Sequence, residues 1–162
     1  MRVALVYDWL DSWGGAERVL LELNKLFPKA PLYTSLYRPS KAKFAKEFFK
    51  KIKTSFLQKM SQVDRRILGP LMPLAFENFD FSDFDLVISV ASFAAKGIIT
   101  KPTTKHVCYL LTPTRFLWYP NQYRGNGFPK TINNYLKSWD LVAAKRPDQI
   151  ITISKTVQNR CQ

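Results

Sequence analysis

The sequence of 162 residues predicts a doubly wound α/β domain, with a parallel sheet between two layers of helices. Three observations carry this. Short apolar runs recur along the chain: RVALVY at Arg2–Tyr7, DLVISV at Asp85–Val90, KHVCYL at Lys105–Leu110 and QIITI at Gln149–Ile153. The first alternates too little to be half exposed, the mark of a strand buried on both faces. Stretches of helical period lie between the runs, and strands alternating with helices demand right-handed crossovers and a parallel sheet.

Arg2–Tyr7 is the first strand. Ser12-Trp13-Gly14-Gly15 breaks the chain, and Ala16–Phe27 follows with Val19, Leu20, Leu23, Leu26 and Phe27 on one face. Pro28 ends that helix. PLYTSL at Pro31–Leu36 reads as a second strand, and Thr54–Leu57 as a short third. Ser61–Asp80 has a helical pattern through Val63, Ile67, Leu68 and Leu71, which Pro70 and Pro73 must bend or divide. Gly125–Pro129 reads as a loop and Lys130–Lys145 as a helix. Ser154–Arg160 begins what looks like one more helix near Gln162, which suggests a fragment of a longer protein. Residues 1–162 make one domain, with room for a core of its own.

Composition removes several function classes. Hydrophobic residues make up 46% and aromatics 14%, so the chain folds. Cys108 and Cys161 are too few for a disulfide scaffold and match no zinc spacing, and a single histidine, His106, leaves little for a metal site. No metal is expected. Without a Ser or Cys nucleophile paired to a base, a hydrolase reading has no support. No apolar run reaches the ~18 residues of a membrane span, and the N-terminus reads as a strand rather than a signal peptide. A cytosolic domain is expected.

The net charge is +13, and it is uneven. Between Arg38 and Arg66 ten Lys and Arg face only Glu47 and Asp64. Phe44, Phe48 and Ile52 recur at four-residue intervals, so Lys41–Lys51 suits an amphipathic helix. Its phenylalanines either pack on the core beneath solvated lysines or enter an anionic membrane surface, where Lys46, Phe48, Lys50, Lys51 and Lys53 make the contact. Nucleic acid would answer the charge too, but no zinc-finger, RRM or helix-turn-helix pattern accompanies it, and no nucleic-acid partner is expected.

Open parallel sheets bind ligands beyond the carboxyl ends of their strands. Four segments arrive at that edge: Asp8–Gly15, Ser89–Gly97, Leu111–Trp118 and Ser154–Lys155. Gly14 and Gly15 allow close backbone approach at a helix N-terminus, which suits a phosphate. They match neither GxGxxG nor a Walker loop, and a tight strand-to-helix turn explains them equally. Glu17 in the first helical turn favours the helix dipole. Lys96 is a candidate anion partner or a surface lysine. Arg115 offers a planar fork to phosphate or carboxylate, while Phe116, Trp118 and Tyr119 stack on sugars or simply pack.

VALVYDWLDSWGGAERVLLEL, FPKAPLYTSLY, TSFLQKM, the long run from LGPLMPLAFENF to TPTRFLW, and ITISKTVQNR together resemble the N-terminal half of bacterial family 4 glycosyltransferases, in particular mannosyltransferase-like members of polysaccharide and O-antigen clusters. The likeness covers nearly the whole chain in order. It implies one Rossmann-like half of a GT-B enzyme, which transfers a sugar with retention from a nucleotide sugar such as GDP-mannose, with no bound cofactor or catalytic metal. The half present here would hold the glycan or lipid-linked acceptor. A C-terminal domain, absent from these residues, would hold the donor and supply a spaced pair of glutamates. On the same resemblance Gly14 and Gly15 lie near the donor phosphates and the transferred sugar, and Lys96, Gly97, Thr112, Arg115 and Trp118 serve the acceptor. The protein would work at the inner membrane face. Two positions depart from the pattern: the family usually reads CHTPMRYLWD where this chain reads LLTPTRFLWY, so Leu111 stands at an active-site histidine position and Tyr119 at a common aspartate. Leucine cannot make that histidine's hydrogen bond. A non-catalytic glycan- or membrane-binding module is the alternative.

Overall fold

The computed structural model describes residues 1–119 and 127–161. It is an α/β structure, and the described residues form a six-stranded, all-parallel sheet. The strands are β1 (Val3–Tyr7), β2 (Leu32–Thr34), β3 (Ile52–Thr54), β4 (Leu86–Ala91), β5 (Lys105–Leu110) and β6 (Gln149–Thr152). Their spatial order is β3-β2-β1-β4-β5-β6, the Rossmann-like order in which the direction of winding reverses between β1 and β4. The helices are α1 (Gly15–Leu26), α2 (Phe44–Phe48), α3 (Met72–Glu77), α4 (Arg115–Trp118), α5 (Lys130–Ala143) and α6 (Lys155–Arg160).

The period-two side-chain alternation of the strands divides the core in two. Leu5, Tyr7, Leu32, Ile88 and Val90 pack with Leu20 of α1 and Ala45 of α2. Ala4, Val6, Tyr33, Val87 and Cys108 pack with Met72 and Phe76 of α3 and with Leu136 and Trp139 of α5. Helices therefore cover both faces, as the alternation of apolar runs predicts.

Two predicted helices differ. The basic helix spans only Phe44–Phe48 instead of Lys41–Lys51, because strand pairing takes the chain soon afterwards: Leu32 N–H donates to Lys51 O, and Ile52 pairs with Leu32 in β3. Ala45 is its buried residue and Ala42 and Phe49, just before and after it, are buried too, while Phe48 stays 43% exposed and Phe44 lies edge-on to Trp13 at 4.7 Å. The apolar face is thus turned by one residue from the predicted one. In 61–80 the prolines divide rather than bend. A 3₁₀ turn at Gly69–Leu71 precedes the six-residue α3, and each carries its proline in the opening positions, where a missing N–H removes no helical bond. The predicted strand at Thr54–Leu57 is β3 shifted toward the N-terminus, followed by a 3₁₀ turn at Phe56–Met60 that Ser55 Oγ caps through Leu57 N–H. Of the predicted Gly125–Pro129 loop, 125 and 126 lie outside the described residues. Among the described residues no helix is long and apolar enough to cross a membrane.

His106 sits in β5 under the α5 layer, fully buried, with Nε2 2.8 Å from Ser89 Oγ and Nδ1 unpartnered. Burial lowers its pKa to about 4, against a smaller opposing pull from Asp148. The unfolded chain therefore binds the proton first. Stability should be full above pH 6.5 and fall as pH drops from there toward 4, at up to about 1.4 kcal/mol per pH unit. Asp64, Asp80, Asp85 and Asp148, whose pKa values are lowered, act mainly below that window. Urea titrations from pH 7 to 4.5 should show this slope in the native protein and lose it in His106→Gln. An equal slope in both would remove the assignment.

Candidate functional site

The loops leaving β1 and β4 diverge to opposite faces of the sheet, and between their ends lies the crevice of the switch point. Neighbouring strands are about 4.8 Å apart, so the exit of β5 lies roughly 10 Å from that of β1 and the exit of β6 roughly 14 Å. The four predicted segments therefore do reach one rim.

Gly14 is the N-cap of α1, in extended backbone, and no side chain caps the turn. It is half-buried and Gly15 is exposed. A Cβ at Gly15 would meet nothing within 4 Å, so the outer side of the turn is open to a ligand. Its inner side is built by Glu17, which is buried: Tyr7 Oη donates to Glu17 Oε1 at 2.6 Å, and Ser12 Oγ lies 3.4 Å from the same oxygen. Burial, and then this carboxylate, raise the Tyr7 pKa. Glu17 thus does more than favour the dipole; it anchors the turn to the end of β1.

Asp8, which the sequence did not single out, forms the floor of the crevice. It is 0% exposed, and its Oδ2 accepts from Ser92 N–H (2.7 Å), Ser92 Oγ–H (3.0 Å) and Phe93 N–H (3.0 Å) while Oδ1 accepts from Ala95 N–H (2.7 Å). One carboxylate therefore organises the turn after β4 and locks it to the end of β1. The only sequence signal is an acid directly after a buried parallel strand.

Lys96 and Gly97 are buried, and their local chemistry is structural. Lys96 is 4% exposed, and its Nζ lies 2.6 Å from Asp140 Oδ1, 2.7 Å from Phe93 O and 3.1 Å from Thr114 Oγ1. It is neither a surface lysine nor presented to an incoming anion. At Gly97 a methyl would overlap Trp139 Cζ2 and Cη2, so glycine is needed there for helix packing. Asp140, also missed from sequence, accepts from Thr114 Oγ1 at 2.7 Å and from Trp118 Nε1 at 2.9 Å, and so ties α5 to α4.

Thr112 is 9% exposed, and its Oγ1 is shut from solvent without a hydrogen-bond partner. Leu111 is half-buried against the α1-side core, packed as an apolar residue at the position where the resemblance expects histidine. Arg115 and Trp118 remain at the surface of α4, with Lys137 Nζ 5.5 Å from the Trp118 ring centroid. Cys108 is buried, which raises its thiol pKa to about 11 and makes it a poor nucleophile. Among the described residues no three His, Cys, Asp or Glu converge as metal ligands.

The predicted membrane-contact residues divide. Lys46, Phe48, Lys50 and Lys51 are exposed around the end of α2. Lys53 lies across the sheet, where its Nζ donates to Tyr33 Oη at 2.7 Å and sits 4.7 Å from that ring's centroid. It belongs to a different surface because β3 alternates: Ile52 faces the α1 side, and Lys53 the other.

Comparison of the chain with family models, with curated proteins and with solved structures returns no match.

Proposed function

We propose that the chain is the acceptor-side half of a retaining glycosyltransferase that uses a nucleotide sugar, with a second domain holding the donor. The observation that carries this reading is the open backbone turn at Gly14–Gly15, at the head of a twelve-residue helix and beside the switch point of the sheet. In such an enzyme sugar transfer leaves a nucleoside diphosphate, and the developing negative charge needs fixed dipoles rather than mobile water. The N-terminal end of α1 supplies a partial positive charge, and the absence of Cβ atoms lets a phosphate oxygen approach the backbone. Glu17 holds that turn from below, and Asp8 fixes the neighbouring turn after β4. Arg115 and Trp118 supply a cation and an aromatic face for an acceptor. Lys96 and Gly97 act here only by keeping the turn after β4 in position. Lys46, Phe48, Lys50 and Lys51, on the side of α2 that leads into the amino end of β3, would hold that flank of the domain at an anionic membrane.

Gly15→Val separates this reading from a merely structural turn, since the added side chain meets open space and should leave stability within about 0.5 kcal/mol. In an NMR titration of the chain with a nucleoside diphosphate, saturable shifts should appear at Gly14, Gly15 and the exits of β4 and β5. Those shifts should vanish in Gly15→Val. No shifts at the turn, or a variant that shows them equally, would overturn the proposal.

A further inference from the structure

The rim has a second half, to which the four predicted segments contribute only Asp11. Leu10 bridges Tyr37 in parallel beyond the ends of β1 and β2, with Leu10 N–H on Leu36 O and Arg38 N–H on Leu10 O. This extension brings Asp11, after β1, beside Arg38, after β2. The segment following β3 closes over them, because Arg38 Nε and Nη2 donate to Ser61 O and Val63 O, both at 2.5 Å. A cavity of about 550 Å³ results, lined by Asp11, Arg38, Lys41, Asp64, Arg65 and Arg66.

Its charge is not balanced from within. Four cations meet two carboxylates, which leaves a surplus of two positive charges. Asp11, almost wholly buried, pairs with Arg65 Nη1 and lies 3.7 Å from Arg38 Nη1. Arg65 also lies over the Trp9 ring, its guanidinium carbon 4.8 Å from the centroid. Arg66 pairs with Asp64 at 2.7 Å at the exposed mouth. Lys41 is exposed, and among the described residues its side chain makes no hydrogen bond or ion pair. Arg38, Arg65 and Arg66 are thus held by protein contacts, and exposed Lys41 stands beside them at the mouth. The lining is almost entirely charged, which disfavours an apolar ligand, and the volume suits a small one. Guanidinium groups favour phosphate oxygens through paired N–H donors.

We propose that this cavity binds a phosphate-bearing dianion, a phosphomonoester or a diphosphate. Where the transferase reading holds, the natural ligand is the diphosphate of a lipid-linked acceptor, and that identification rests on it; phosphate binding at the cavity does not.

The test is calorimetric titration of the chain with inorganic pyrophosphate and, separately, with a short-chain prenyl diphosphate. Lys41→Gln/Arg66→Gln removes two charges from the mouth without touching the buried contacts of Arg38 and Asp11. It should weaken pyrophosphate binding by about tenfold or more. Lys29→Gln/Lys145→Gln removes the same charge at the opposite, amino edge of the sheet and should bind as the native protein does. Tighter binding of the prenyl diphosphate identifies a lipid headgroup, and equal binding a free phosphate compound; both support the site. Gly15→Val should leave pyrophosphate binding intact, so failure at the glycine turn and failure at the cavity are distinguishable. No saturable binding of either compound, or equal weakening in both charge variants, would overturn the proposal.

Discussion

Asp8→Ala is expected to destabilise the protein by about 4 kcal/mol or more, the largest effect of any single side-chain truncation at the rim. The carboxylate accepts three backbone N–H groups and one hydroxyl, all around the turn after β4. Alanine leaves these donors without an acceptor, and for the buried amides of Phe93 and Ala95 each unsatisfied donor costs about 1–3 kcal/mol. Domains of this size are stable by only about 5–15 kcal/mol, so the variant should unfold at much lower urea concentration. Hydrogen exchange should localise the damage, with protection lost first at the amides of Ser92, Phe93 and Ala95. Asp8→Asn should also be poorly tolerated, because it offers one accepting oxygen and turns an amide NH₂ toward N–H donors. A midpoint for Asp8→Ala equivalent to less than about 1 kcal/mol of loss would disprove its organising role.

Lys96→Met is expected to cost about 3–5 kcal/mol by leaving Asp140 charged and buried without its cation. The informative measurement is the double-mutant cycle with Asp140→Leu. Removing both charges abolishes the uncompensated carboxylate, so the double variant should be less destabilised than the sum of the singles, by about 2 kcal/mol. It should not return to native stability, because Thr114 Oγ1 and Trp118 Nε1 also lose their acceptor. Additive effects would mean that Lys96 and Asp140 are not coupled. A lysine that instead served an acceptor directly would lower ligand affinity on substitution while leaving the unfolding midpoint in place.

The local part of the architecture was legible before any coordinates. β5 runs over Lys105–Leu110 as its apolar run predicts, and α1 differs from its predicted span by one residue at each end. Both are long enough for the period to repeat, and Pro28 marks a stop. The five-residue α2 was not legible: phenylalanines at 44, 48 and 49 satisfy more than one helical phase, and pairing of β3 with β2 decides which one is buried. Gly14–Gly15 was legible as a turn, but not as an open one.

What the sequence by itself determined is the alternation of buried strands with amphipathic helices, and with it a parallel sheet whose strand ends gather at one edge. That information lies in side-chain periods a few residues long, each readable in its own window. Only the tertiary structure decided the roles of Asp8, Lys96 and Arg38. Asp8 bonds amides more than eighty positions away, Lys96 meets Asp140 across 44, and Arg38 is held by carbonyls more than twenty residues on. Backbone amides and carbonyls are the same in every residue. A charged side chain that ends on them leaves no pattern in the sequence, and its place is set by which strands lie side by side.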